Sequence, residues 1–241
     1  MVIPSALVAA ASLLIDYVLT VAVSMTASIR AICSAFPYLL NFKVSLCLLG
    51  LWLLTWLNLR GIRESAYAVA LPIGAFIILI ICLCIDGLFQ TGLALQKYSS
   101  SSFDVFLDLA TIAVVLRAFA GGCTAMTGVE AIANAGSMLT KPSSTVARQI
   151  LLALGLILGG TFLSITIISQ NLGLSPLHTE SLLSQLIRNL WGDGFLYQTI
   201  QLLTATVLFL AANTVFVGFP KLSAILAKDG WLPRQFSAIG D

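Results

Sequence analysis

Two stretches, Gln149 to Leu172 and Tyr197 to Phe219, contain no Asp, Glu, Lys or Arg. Each is about as long as the roughly 20 apolar residues a helix needs to cross the hydrocarbon core of a bilayer. Other runs along the chain are nearly as free of charge. Only 9% of the 241 residues are charged, whereas a soluble domain carries about a quarter. Lipid offers the backbone no hydrogen-bond partners, so a chain of this kind crosses it as helices. The expected fold class is an all-α polytopic membrane protein with about six transmembrane helices in a single domain, residues 1–241.

The expected spans run from about Val2 to Phe36, Val44 to Asn58, Ala66 to Leu88, Phe106 to Ala135, Gln149 to Leu172 and Tyr197 to Phe219. The connectors separate by charge. Arg60, Arg63, Lys141, Arg148, Lys221, Lys228 and Arg234 fall on one side, and only Lys43, Lys97 and Arg188 on the other. Seven cations against three make the first side cytoplasmic. Both termini are then inside, as an even number of spans requires. The sequence predicts a multi-pass protein of the plasma (inner) membrane. "KPSSTVARQ" reads as a helix start with Ser143 or Ser144 as cap. "SPLHTESLLSQLIRNLWGDG" has apolar residues at helical spacing, fitting either a short amphipathic helix over the outer mouth or a plain surface helix.

Several functions are disfavoured. No cation precedes the first apolar run, so the N-terminus does not read as a cleaved leader. A net charge of +2 and the lack of a basic, aromatic-interleaved patch argue against a nucleic-acid partner. Cys33, Cys47, Cys82, Cys84 and Cys123 sit mostly in apolar runs and read as small hydrophobes, neither a disulfide framework nor metal ligands. His178 is the one histidine. With no nucleophile–His–acid set and no metal-ligand cluster, an enzyme is not expected, nor a cofactor or resident metal.

Ionisable groups at membrane depth need a partner or a wet cavity. Asp16, Arg117 and Glu130 are the three that stand out. Tyr17, Thr20 and Ser24 follow Asp16 within one arc of about a third of a helix. A carboxylate and three hydroxyls there suit a hard cation or an ammonium group. The alternative is that the hydroxyls bond back to their own helix and Asp16 joins helices. "RAFAGGCTAMTGVEAIANA" places Gly121, Gly122 and Gly128 just before Glu130. Each glycine weakens a helix by about 1 kcal/mol relative to Ala. A local break that aims backbone groups at a substrate is a recurrent device of secondary transporters. The competing reading is that the glycines let two helices pack closely.

Four blocks, "LLIDYVLTVAVS", "LNLRGIRES", "RAFAGGCTAMTGVEAIANA" and "ANTVFVGFPKLSAILAKDGWLPRQF", resemble the amino acid/polyamine/organocation (APC) permease superfamily. Within it they are most similar to the KimA-type branch of potassium–proton symporters. The resemblance implies a partial LeuT-like core of inverted repeats, covering the family's third to eighth helices. The first two helices, and everything beyond the eighth, would lie outside these 241 residues. By position, Asp16 and Tyr17 match the family's acidic–aromatic pair at a cation site, with Thr20 and Ser24 as nearby oxygen ligands. Thr127 and Glu130 match the Thr and Glu after the family's broken sixth helix. "SMLTKPSSTVARQ" departs from the family's usual acidic loop, which puts one loop contact in question. "GGCTAM" lacks the aromatics of classical amino-acid permeases, which favours the cation branch.

The expected function is therefore secondary active transport, K⁺ uptake coupled to H⁺. The alternatives are an amino acid or amine permease, or a non-transporting membrane fragment. Expected partners are the lipid bilayer, a small cation or amino-acid substrate with a proton, and a second copy in a homodimer.

Overall fold

The computed structural model describes residues 2–60, 66–92, 109–125, 143–175, 177 and 180–237. Among these residues all regular structure is helical. The described residues hold seven α-helices: α1 Val2–Ala35, α2 Lys43–Leu59, α3 Ala66–Thr91, α4 Leu109–Ala125, α5 Ser143–Asn171, α6 Leu182–Trp191 and α7 Phe195–Lys228. Among the described residues, five segments are long and apolar enough to cross a membrane: Leu7–Ala35, Pro37–Leu59, Val69–Thr91, Thr145–Asn171 and Phe195–Lys228. Thr111–Gly122 is a shorter apolar helix. The chain is a multi-pass membrane protein.

Local chemistry explains where helices begin and stop. Pro4 lies in the first turn of α1, where its missing N–H would have had no partner. The helix stops before Pro37, and Phe36 takes an extended φ of −130 because the residue before proline is kept from the helical region. The expected amphipathic helix is α6. Ser181 caps it, accepting from the Ser184 N–H at 3.1 Å, and Gly192 closes it at φ 73. The last helix runs further than the sequence predicts. It passes Pro220 and ends at Lys228, not Phe219. Proline removes one hydrogen bond, but Leu222 to Lys228 are mostly strong helix formers, and Ser223, Ala224 and Ala227 are buried there.

The chain forms two compact units, Met1–Ile80 with Pro176–Asp241, and Ile81–Ser175. In the first, α1 lies antiparallel to α7. Tyr197 O–H donates to the Ser34 carbonyl at 3.0 Å, Ser28 Oγ donates to the Ala205 carbonyl at 2.8 Å, and Tyr17 faces Gly218. α2 folds back along α1, so Met25, Leu54 and Ala212 form a buried cluster of all three helices. Asn58 Nδ2 donates to Asn213 Oδ1 at 2.7 Å, tying α2 to α7. Lipid is as apolar as leucine, so close packing and hydrogen bonds hold such a bundle, with little help from water exclusion. The small buried residues Ser28, Ala31, Ala205 and Ala212 permit that packing.

In the second unit, Asn171 Nδ2 at the end of α5 donates to the Gly92 carbonyl at 3.1 Å, just past α3. The described side chains of α4, Arg117 among them, are exposed. Gln90 donates to Asp86 at 3.0 Å near the end of α3.

Candidate functional site

α1 is regularly helical from end to end, so Asp16, Tyr17, Thr20 and Ser24 do fall on adjoining positions of one side. Asp16, Tyr17 and Ser24 are half-buried, and Thr20 is buried. Asp16 lies closer to Leu7 than to Ala35 within its candidate span, so Thr20 and Ser24 are the more central members.

The hydroxyls of α1 differ in what satisfies them, and Ser28 bonds across to α7. Ser12, Thr26 and Ser34 each donate to the carbonyl four residues back, at 2.8, 2.7 and 2.9 Å. These are locally satisfied and need no ligand. Thr20 is different: its Oγ1 is buried and has no hydrogen-bond partner. An orphaned buried hydroxyl costs about 1–3 kcal/mol. Such a group is retained either at that cost or for a ligand that completes it.

Tyr17 has a second role. Its ring lies over Gly218, where a β-carbon would stand 3.5 Å from Cε2, so the aromatic plane packs on α7. Beside it is an apolar cavity of about 340 Å³ between α1, α2 and α7. That cavity offers no oxygen cage, and a bare cation does not belong there.

The break expected at Gly121 and Gly122 is not found at those residues. α4 continues through both to Ala125. Glycine weakens a helix but keeps its N–H, so flanking apolar residues carry the ladder across it. Thr127, Gly128 and Glu130 lie outside the described residues, and so does any meeting of Glu130 with the α1 arc.

Three features had no counterpart in the sequence reading. Gln201 is 1% exposed on α7 with its Nε2 unpartnered, and Ser169 on α5 has an unpartnered Oγ. Within a charge-free run these polar residues stand out by composition alone. The third is a polar cluster at the start of α7. Arg188 pairs with Glu180 at 3.0 Å and with Asp193, and donates to Tyr197 Oη at 3.2 Å. Ser184 Oγ lies 2.7 Å from the same oxygen. Burial alone would lower the Arg188 guanidinium, but the Asp193 hydrogen bond and the charges of Tyr197, Glu180 and Asp193 outweigh it and hold it above its ordinary value.

The family model described as "Amino acid permease" matches residues 4–240. The potassium transporter KimA of Bacillus subtilis (strain 168) is 39% identical over 237 residues, which is 98% of this chain and 39% of the relative. The chain thus spans 39% of the length of the curated relative it matches. Both comparisons are with transport proteins. With residues 4–240 of its 241 matched, the chain belongs to the amino acid permease family.

Proposed function

We propose that the chain is part of a secondary active transporter that takes up K⁺ together with H⁺. The observation that carries this reading is Thr20: a buried hydroxyl without a partner, one turn from Asp16 on the same side of α1. The 39% identity to a potassium transporter supports it. Asp16 and Glu130 supply negative charge, while oxygens of Tyr17, Thr20, Ser24 and Thr127 replace the ion's hydration shell. Protonation of one carboxylate changes the site's charge by one unit, and that couples proton to cation. The 241 residues act as one transmembrane domain, and the close α1–α7 pair moves as a body in alternating access. Protomers pair as homodimers.

Both termini lie in the cytoplasm. In the first unit, Arg60, Lys221, Lys228 and Arg234 belong to the helix ends beside the start of α1, and Arg30, Lys43 and Arg188 to the opposite end, four against three. That asymmetry supports the cation-rich end as the inner one.

Amino acid or amine permeation is the second reading, favoured by the family's description. Rb⁺ uptake by the full-length protein in potassium-depleted cells separates the two. Inhibition by K⁺ and indifference to an amino-acid panel fit the first reading. Competition by an amino acid, with no effect of K⁺, overturns it.

A further inference from the structure

Two cavities meet at the cation-rich end of α7. The apolar one, about 340 Å³, lies among Tyr17, Val18, Leu51 and Phe216. The other, about 640 Å³, includes Asn58, Lys221, Ser223 and Gln235. Phe216, Phe219 and Pro220 line both, so the apolar slot and the polar mouth share a wall.

The pair has the layout of an amphiphile. One part is apolar and is placed against helices that carry candidate membrane spans. The other offers an ammonium group, amides and a hydroxyl. Charge fixes the sign of the head group. Over 221–237, Lys221, Lys228 and Arg234 face a single carboxylate, Asp229. Among the described residues the ion pairs are those of Arg188 with Glu180 and Asp193, and Lys221 is in neither. Arg60 sits at the end of α2, its guanidinium 4.1 Å from the Trp56 ring centre. Lys and Arg beside a span attract anionic lipid at about 1 kcal/mol each.

We infer that this composite groove is a binding site for an anionic phospholipid of the surrounding bilayer, with an acyl chain in the slot beside Tyr17 and the phosphate at Lys221. The site borders the proposed cation arc and shares Tyr17 with it. A small cation has no reason to enter an apolar slot or to approach Lys221. Lipid in the slot bears on the Tyr17 ring, and through it on the α1 side that carries Thr20.

The test needs no transport. Full-length protein is equilibrated with mixed micelles holding equal parts phosphatidylglycerol and phosphatidylcholine, and retained lipid is counted by native mass spectrometry. The wild type is expected to retain phosphatidylglycerol preferentially. Lys221→Glu lowers that retention by about tenfold, Lys221→Gln by less, and Val18→Trp, which fills the slot from an exposed position, removes it. Circular dichroism checks that each variant keeps its helix content, and Lys221→Gln serves if the charge reversal does not fold. Equal retention of both lipids by wild type, or unchanged retention in well-folded Lys221 and Val18 variants, overturns the proposal. So does displacement by millimolar inorganic phosphate, which assigns the site to a free anion. A fall in dimer content without loss of lipid in Val18→Trp assigns the groove to a second copy and also overturns it.

Discussion

A β-carbon on Gly50 would stand 2.7 Å from Met25 Sδ. Met25 is 2% exposed beside Leu54 and Ala212, so its thioether has to repack within the cluster to make room. Gly50→Ala is therefore expected to lose about 1–3 kcal/mol through overpacking. Gly74, with open space around it, is the control, and Gly74→Ala should gain about 0.4–1 kcal/mol from reduced unfolded-state freedom. Thermal unfolding in detergent checks the contrast. An unchanged midpoint for Gly50→Ala would mean that α1 and α2 are not packed at this point.

Gly121 and Gly122 lie within continuous helix, with nothing near enough to clash with an added methyl group. Alanine at either position should leave uptake within about twofold, less than ~0.5 kcal/mol of barrier. Loss of transport in both would place an essential uncoiled turn at these glycines after all.

Thr20→Val separates structure from function at one atom. It removes a buried hydroxyl that has no partner, so stability should hold or rise by about 1 kcal/mol. Cation uptake should fall, with an increased KM if the hydroxyl is a ligand. Equal stability with equal uptake would return Thr20 to plain packing.

At the opposite end, Tyr197 Oη joins Ser184, Arg188 and the Ser34 carbonyl. Tyr197→Phe strips all three and should cost about 1–3 kcal/mol. Protease sensitivity around α6 reports the loss. Arg188 has its value raised in the fold, so its stabilising contribution is complete below the arginine range and is lost only as pH rises through that raised value. Arg188 itself therefore adds no pH dependence to α6 docking at neutral and mildly alkaline pH, which limited proteolysis across that range reads directly. With Arg188 40% exposed, salt should weaken its pairing modestly.

Charge-free runs reveal the spans because membrane crossing is a local demand on every residue in the run. The α6 helix was legible for the same reason: the spacing of its apolar residues is encoded within a dozen positions, although its Ser181 cap emerged only in the structure. The continuation past Pro220 was not, since local rules favour a stop there and the buried small residues Ser223, Ala224 and Ala227 depend on tertiary packing. The α1 arc followed from helical periodicity. Which of its hydroxyls is satisfied did not, because Thr26 and Thr20 look alike in sequence and differ only in what surrounds them. Contacts such as Tyr197 to Ser34 join residues 163 apart, and no periodicity reports them.

The most direct measurement is Rb⁺ uptake and its pH dependence in potassium-depleted cells expressing full-length protein, compared among wild type, Asp16→Asn and Glu130→Gln. The account predicts that each substitution lowers uptake by at least about tenfold, or ~1.4 kcal/mol, and that at least one flattens the pH profile. Wild-type uptake with a wild-type profile in both variants, at equal membrane expression, would contradict it.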